Sequence, residues 1–103
     1  MSEQTRIRAV ASDGVTEVRM RMTHPMETGL REGPDGEVIP AHYITEVKVE
    51  HDGVLVLRAD VGPALSENPY LAFRFQGGQP GDRLSVTWKD SEGEQRTDEA
   101  EIR

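Results

Sequence analysis

A chain of 103 residues supports one domain, 1–103, with a small core, since a chain of this size buries only about 65% of the surface its unfolded form exposes. Apolar residues are 35% and charged residues 30% of the sequence, a sparse interior that a partner subunit would supplement. The net charge of −7 argues against phosphate backbones and anionic lipid as partners, and the lack of cysteine excludes disulfides, thiolate metal sites and thiol nucleophiles.

The N-terminus, Met1 to Arg6, has no apolar h-region, and no run approaches the roughly 18 residues needed to cross a bilayer. Taken alone, the chain reads as cytosolic. Thr5 to Ala11 is a short strand with Ile7, Ala9 and Ala11 on one side, ended by Ser12-Asp13-Gly14. Val15 to Met22 resumes the alternation, with Val18, Met20 and Met22 inward and Glu17, Arg19 and Arg21 outward. Arg6, Arg8, Arg19 and Arg21 alternate with apolar residues and read as solvated strand faces, not as a segregated basic patch.

Thr23 to Ala41 contains Pro25, Gly29, Gly33, Pro34, Gly36 and Pro40, which rule out a long helix or strand. Irregular stretches beyond about 12–15 residues tend to be functional or disordered. Pro34-Asp35-Gly36 predicts a tight turn inside a small hairpin excursion whose flanks, His24 to Glu27 and Ile39 to His42, lie near each other.

His42 to Glu50 reads as a strand with Tyr43, Thr45, Val47 and Val49 on one face, and His51-Asp52-Gly53 turns the chain. Val54 to Val61 follows, with Leu55, Leu57, Ala59 and Val61 inward. Gly62 to Pro69 is a second connection with room for one helical turn. Leu71, Phe73 and Phe75 share one side of the next segment, and Leu84, Val86 and Trp88 share one side of the one after. With a glycine-rich loop between them, these two read as a hairpin whose apolar face a second sheet must cover. Asp90-Ser91-Glu92-Gly93 is a turn, and Gln95 to Ile102 is the weakest strand. Seven short strands without an amphipathic helix predict an all-β, immunoglobulin-like antiparallel sandwich.

Three chemistries are conceivable. His24 and His42 could meet across the loop base and, with Glu27, form a zinc or acid/base cluster for a small ligand-binding or hydrolytic domain. Met20, Met22, His24 and Met26 offer soft ligands at every second residue, as a periplasmic Cu(I)-binding sandwich would, although methionine is also a normal core filler. The hydroxyls of Thr23, Thr28 and Ser66 lie in no motif that would activate them, so no catalytic residue is predicted and the chain reads as a non-enzyme. A binding surface is the stronger expectation. The loop gathers Pro25, Met26, Leu30, Val38, Ile39 and Pro40, and Ile44, Val54 and Val56 fall on the nominally wet faces of their strands. The candidate partner-binding residues are therefore His24, Pro25, Met26, Glu27, Thr28, Ile39, Pro40, His42 and Ile44, with no metal or cofactor required.

The runs Met22-Thr23-His24-Pro25-Met26-Glu27-Thr28-Gly29-Leu30-Arg31, Ile39-Pro40-Ala41-His42-Tyr43-Ile44, Gly62-Pro63-Ala64 and Asn68-Pro69-Tyr70-Leu71-Ala72-Phe73-Arg74-Phe75 closely resemble SoxZ, half of the SoxYZ sulfur carrier of thiosulfate oxidation. The likeness extends from about Arg6 to Ile102. It implies a noncatalytic subunit that pairs with a SoxY-like partner, which bears sulfur intermediates on a cysteine in a flexible arm, and that meets other Sox enzymes transiently. It also implies a periplasmic location, reached by co-export with a signal-bearing partner, and no cofactor.

Overall fold

The computed structural model describes residues 3–103. Seven strands follow in order: β1 (Arg6–Ser12), β2 (Val15–Arg21), β3 (Ile44–His51), β4 (Val54–Asp60), β5 (Tyr70–Gln76), β6 (Arg83–Asp90) and β7 (Gln95–Glu101). They form two antiparallel sheets, β1-β2-β5 and β4-β3-β6-β7, and no helix occurs among the described residues. The expected immunoglobulin-like sandwich is the observed architecture. The connection from Val61 to Pro69 contains turns and no helical turn.

Period-two alternation builds the core. Val18 and Met20 of β2 face Val47 and Val49 of β3 and Leu84, Val86 and Trp88 of β6, all at most 1% exposed. Burying a residue of this kind contributes about 1.5–3 kcal/mol.

Three expectations about faces and pairing need correction. First, β5 and β6 are not a hairpin. Strand β5 pairs with β2 and β6 with β3 and β7, so the connection between them crosses from one sheet to the other and their apolar faces line one core from opposite sheets. The crossing is tight at Gly78, where φ is +84° and a Cβ would stand 2.1 Å from Thr16 Oγ1. That hydroxyl donates to the Gly77 carbonyl at 2.7 Å. Second, Ile44 is fully buried. The β3–β6 register slips between Ile44 and Glu46, so Thr45 is an extra residue and parity reverses before it. Third, β4 slips against β3 between Val49 and Glu50. Leu57 and Ala59 keep their inward parity, Leu55 is turned out to 50% exposure, and Val56 packs against the core.

The two long sides of the sandwich are finished differently. On the β1/β7 side, Arg103 exchanges backbone hydrogen bonds with Ala9 and Ala11, at 2.9 and 2.8 Å, and Ile102 is 1% exposed. On the other side, β4 and β5 are free edges, and no backbone hydrogen bond joins them among the described residues. The residues beneath that seam, Val56, Leu57, Leu71, Phe73 and Phe75, are only partly buried.

Sheet pairing also gathers charge that is scattered in the sequence. On the outer face of the three-stranded sheet, Arg6 lies opposite Arg21, Arg8 opposite Arg19, and Arg74 opposite Glu17. The solvated strand faces expected from alternation are therefore one basic face.

Candidate functional site at the loop end

The segment between β2 and β3 folds as anticipated. Glu27 and His42 bridge its base through backbone hydrogen bonds of 2.7 and 2.9 Å, and Ile39 N–H reaches Arg31 O at 2.8 Å. A second bridge pairs Glu32 with Val38, and Gly33 N–H donates to Glu37 O at 2.8 Å. The result is a small two-stranded excursion around Pro34-Asp35-Gly36.

Its root is a buried polar cluster. The rings of His24 and His42 meet edge-on with centroids 4.6 Å apart, as expected, but the carboxylate between them is Asp90 and not Glu27. Asp90 Oδ2 accepts from His24 Nε2 at 3.0 Å and from His42 Nε2 at 2.7 Å. Its Oδ1 accepts from the backbone N–H groups of Glu92 and Glu94 at 3.0 and 2.8 Å. The Asp90 side chain is fully buried. Burial pushes its pKa up, yet the hydrogen bonds from His24, His42, Glu94 and Glu92 together outweigh that and hold it below the ordinary carboxylate value. Glu27 turns instead to Arg31, which pairs with both carboxylate oxygens and lowers its pKa.

The backbone fixes the His24 tautomer. Met26 N–H donates to His24 Nδ1 at 3.1 Å, so a neutral ring carries its proton on Nε2 and donates it to Asp90. A metal-bound histidine usually donates from its second nitrogen, whereas that nitrogen of His24 accepts. His24, His42 and Asp90 have the proximity of a metal cluster but the wrong proton arrangement for one. The copper reading loses its ligands as well: Met20, Met22 and Met26 belong to the hydrophobic core, and Met26 Sδ receives Ile44 N–H at 3.4 Å.

Met26 adopts φ +52°, a left-handed conformation costing a residue with a Cβ roughly 1–2 kcal/mol. The contacts at both ends of its side chain and backbone hold it there, and they draw the loop against Trp88, whose ring lies 5.2 Å from that of His24. Asn68 clamps the other flank: its Oδ1 accepts His24 N–H at 3.0 Å and its own N–H donates to His24 O at 2.9 Å.

The candidate partner-binding residues therefore divide. His24, Met26 and Ile44 are interior, which corrects the expectation that Met26 and Ile44 are exposed. Glu27, Ile39 and His42 are half-buried, and Pro25, Thr28 and Pro40 are exposed. Beyond them Leu30 is 87% and Val38 58% exposed. The Thr28 hydroxyl accepts Leu30 N–H at 3.1 Å and closes a local turn. In the sequence Asp90 reads as the first residue of a turn, which hides its role, although it continues the parity of Leu84, Val86 and Trp88.

The fold and the site define an immunoglobulin-like sandwich in which a buried His–Asp–His cluster braces a projecting loop. Solved superoxide reductases share this architecture. One in the oxidized state superimposes with a TM-score of 0.69 at 11% identity, over 99% of this chain and 89% of that one. The enzyme from Ignicoccus hospitalis gives 0.63 at 18%, over 99% and 80%, and that from Archaeoglobus fulgidus in the reduced form 0.64 at 17%, over 94% and 86%. At such identities the likeness concerns the fold alone. No curated protein matches the sequence. The family model described as sulphur oxidation protein SoxZ matches residues 5–101. The chain belongs to the SoxZ family, and so to the Sox components of sulfur oxidation. No helix among the described residues is long and apolar enough to cross a membrane.

Proposed function

We propose that this chain is the thiol-free, noncatalytic subunit of a heterodimeric sulfur carrier of thiosulfate oxidation. A cysteine-bearing SoxY-like subunit covers the unsealed β4/β5 side, and the loop between β2 and β3 is the docking face offered to Sox enzymes. The observation that carries the reading is the unfinished seam itself. Val54 is 65% and Leu55 50% exposed on the free edge of β4, beside core residues that are only partly buried. Free edges invite strand or side-chain pairing, and exposed apolar groups beside an incompletely covered core mark interfaces. Cysteine is absent from the sequence, so the sulfur-bearing thiol must come from the partner. The loop supplies exposed apolar side chains on its two arms, Leu30 and Val38, flanked by Pro25, Thr28, Ile39 and Pro40, with His24, Met26, His42 and Ile44 shaping it from beneath. On this reading the complex works in the periplasm and is exported together with the signal-bearing subunit, and membership of the SoxZ family supports that location.

Co-expression with the cognate cysteine-bearing subunit tests both surfaces. V54K/L55K leaves this chain folded and abolishes heterodimer recovery, whereas L30S/V38S keeps the heterodimer and lowers thiosulfate-dependent turnover. Normal heterodimer in the first variant refutes the seam assignment, and normal turnover in the second refutes the loop assignment.

A further inference from the structure

The outer face of the three-stranded sheet stands apart from the seam and the loop. Its cross-strand rows read Arg6–Arg21–Tyr70, Arg8–Arg19–Ala72, Val10–Glu17–Arg74 and Ser12–Val15–Gln76. Five arginines face one glutamate, in a protein whose 19 acids outnumber its 12 bases. Glu17 is shared by Arg19 at 2.9 Å and Arg74 at 3.1 Å. Arg21 lies over the Tyr70 ring, 5.4 Å from its centroid. Arg6 and Arg8 have no ion-pair partner among the described residues.

Two rows set like charges directly opposite each other, an arrangement that destabilises a sheet. A single acidic side chain at Arg6 or Arg8 would relieve it, so folding gives no reason for these arginines. Between the rows runs a shallow open trough of about 570 Å³, lined by Arg8, Arg19 and Arg74 with Val10, Val15 and Glu17. Tyr70 is 49% and Val10 39% exposed, so the face combines arginine with tyrosine and a little apolar surface, the composition enriched at protein interfaces. It is too open to desolvate a small anion. Nucleic acid and anionic membrane present denser negative charge than the carboxylates of a protein face, so the acidic remainder of the molecule repels them more strongly.

We propose that this arginine face is a docking surface for an acidic protein partner, steered and held by charge complementarity. The inference does not depend on the proposed carrier role or on the β4/β5 seam. Protein–protein recognition of this kind gives association that weakens with salt.

The test uses the full chain with fluorescently labelled poly-L-glutamate as a stand-in for an acidic protein face, followed by anisotropy across a salt series. The expected result is binding at low salt that declines steeply with ionic strength. R6E/R8E should weaken it by about tenfold or more while raising Tm by a few degrees, because each new glutamate faces an arginine across the strand pair. K48E/R58E makes the same change in net charge at a facing pair on the other sheet and should weaken binding far less. Absence of binding, equal binding by R6E/R8E, or equal losses in the two double variants overturns the proposal. So does binding to duplex DNA or phosphatidylglycerol vesicles as tight as to poly-L-glutamate at the same salt.

Discussion

One aspartate immediately precedes strand β6 and another is its last residue, and each meets histidine. Asp82 and Asp90 therefore mark opposite ends of the sandwich, about 26 Å apart along an eight-residue strand. At the turn end, Asp82 Oδ2 accepts from His51 Nε2 at 2.8 Å and from Gln79 N–H at 3.0 Å, and its side chain stays 30% exposed. The hydrogen bond from His51, then that from Gln79, lowers its pKa. At the loop end, Asp90 is dry and every one of its acceptor positions is filled. The same two residue types thus form a solvated surface pair in one place and a structural lock in the other. The difference lies in water: a partner lost at the turn end is replaced by solvent, while a partner lost at the loop end leaves a buried polar group unsatisfied.

Asp90→Ala is the strongest way to break the comparison. It strands two imidazoles and two backbone N–H groups, and should cost about 3 kcal/mol or more in urea denaturation, with faster hydrogen exchange throughout residues 23–43. A loss under about 1 kcal/mol would contradict the lock.

Acid should act on the same group. Its folded-state pKa is depressed below the ordinary 3.8, so its contribution is fully present above that unfolded value and is lost as pH falls through the folded one. Asp98 behaves alike: burial raises its pKa, but Arg96 and the Thr5 backbone outweigh this and lower it. The urea midpoint of the wild type should fall on acidification below about pH 4, and Asp90→Ala should flatten that fall. An unchanged slope in the variant would remove Asp90 from the acid response.

The two histidine variants fall between Asp90→Ala and Asp82→Ala, with His42→Ala at about 1.5 kcal/mol, because His42 is 24% exposed and water can reach the vacated oxygen. His24→Ala should exceed it, since His24 is 3% exposed and also accepts Met26 N–H. The reverse order would mean that burial does not set the ranking. Smallest of all is Asp82→Ala, whose thermal midpoint should move less than that of any loop-end variant. A shift equal to that of Asp90→Ala would erase the distinction between the two ends.

Much of this was legible in the residues. Alternation located all seven strands, the turn chemistry of Pro34-Asp35-Gly36 located the excursion, and proximity of the loop flanks brought His24 to His42. The parity of Ile44, Leu55 and Val56 was not legible, because an extra residue in a strand reverses every face beyond it and leaves no mark in composition. The arginine face was hidden for a related reason: Arg6 and Arg21 are distant in sequence and become neighbours only through the β1–β2 register.

The amino-acid sequence by itself determined the strands, the thiol-free chemistry and the family, since periodicity, residue type and motif are local properties that survive without a partner. Tertiary structure decided which strands share a sheet, which side of the sandwich stays unsealed and that Asp90 closes the loop root. Those outcomes depend on contacts between distant segments, where cross-strand register and the exclusion of water assign each side chain its neighbours.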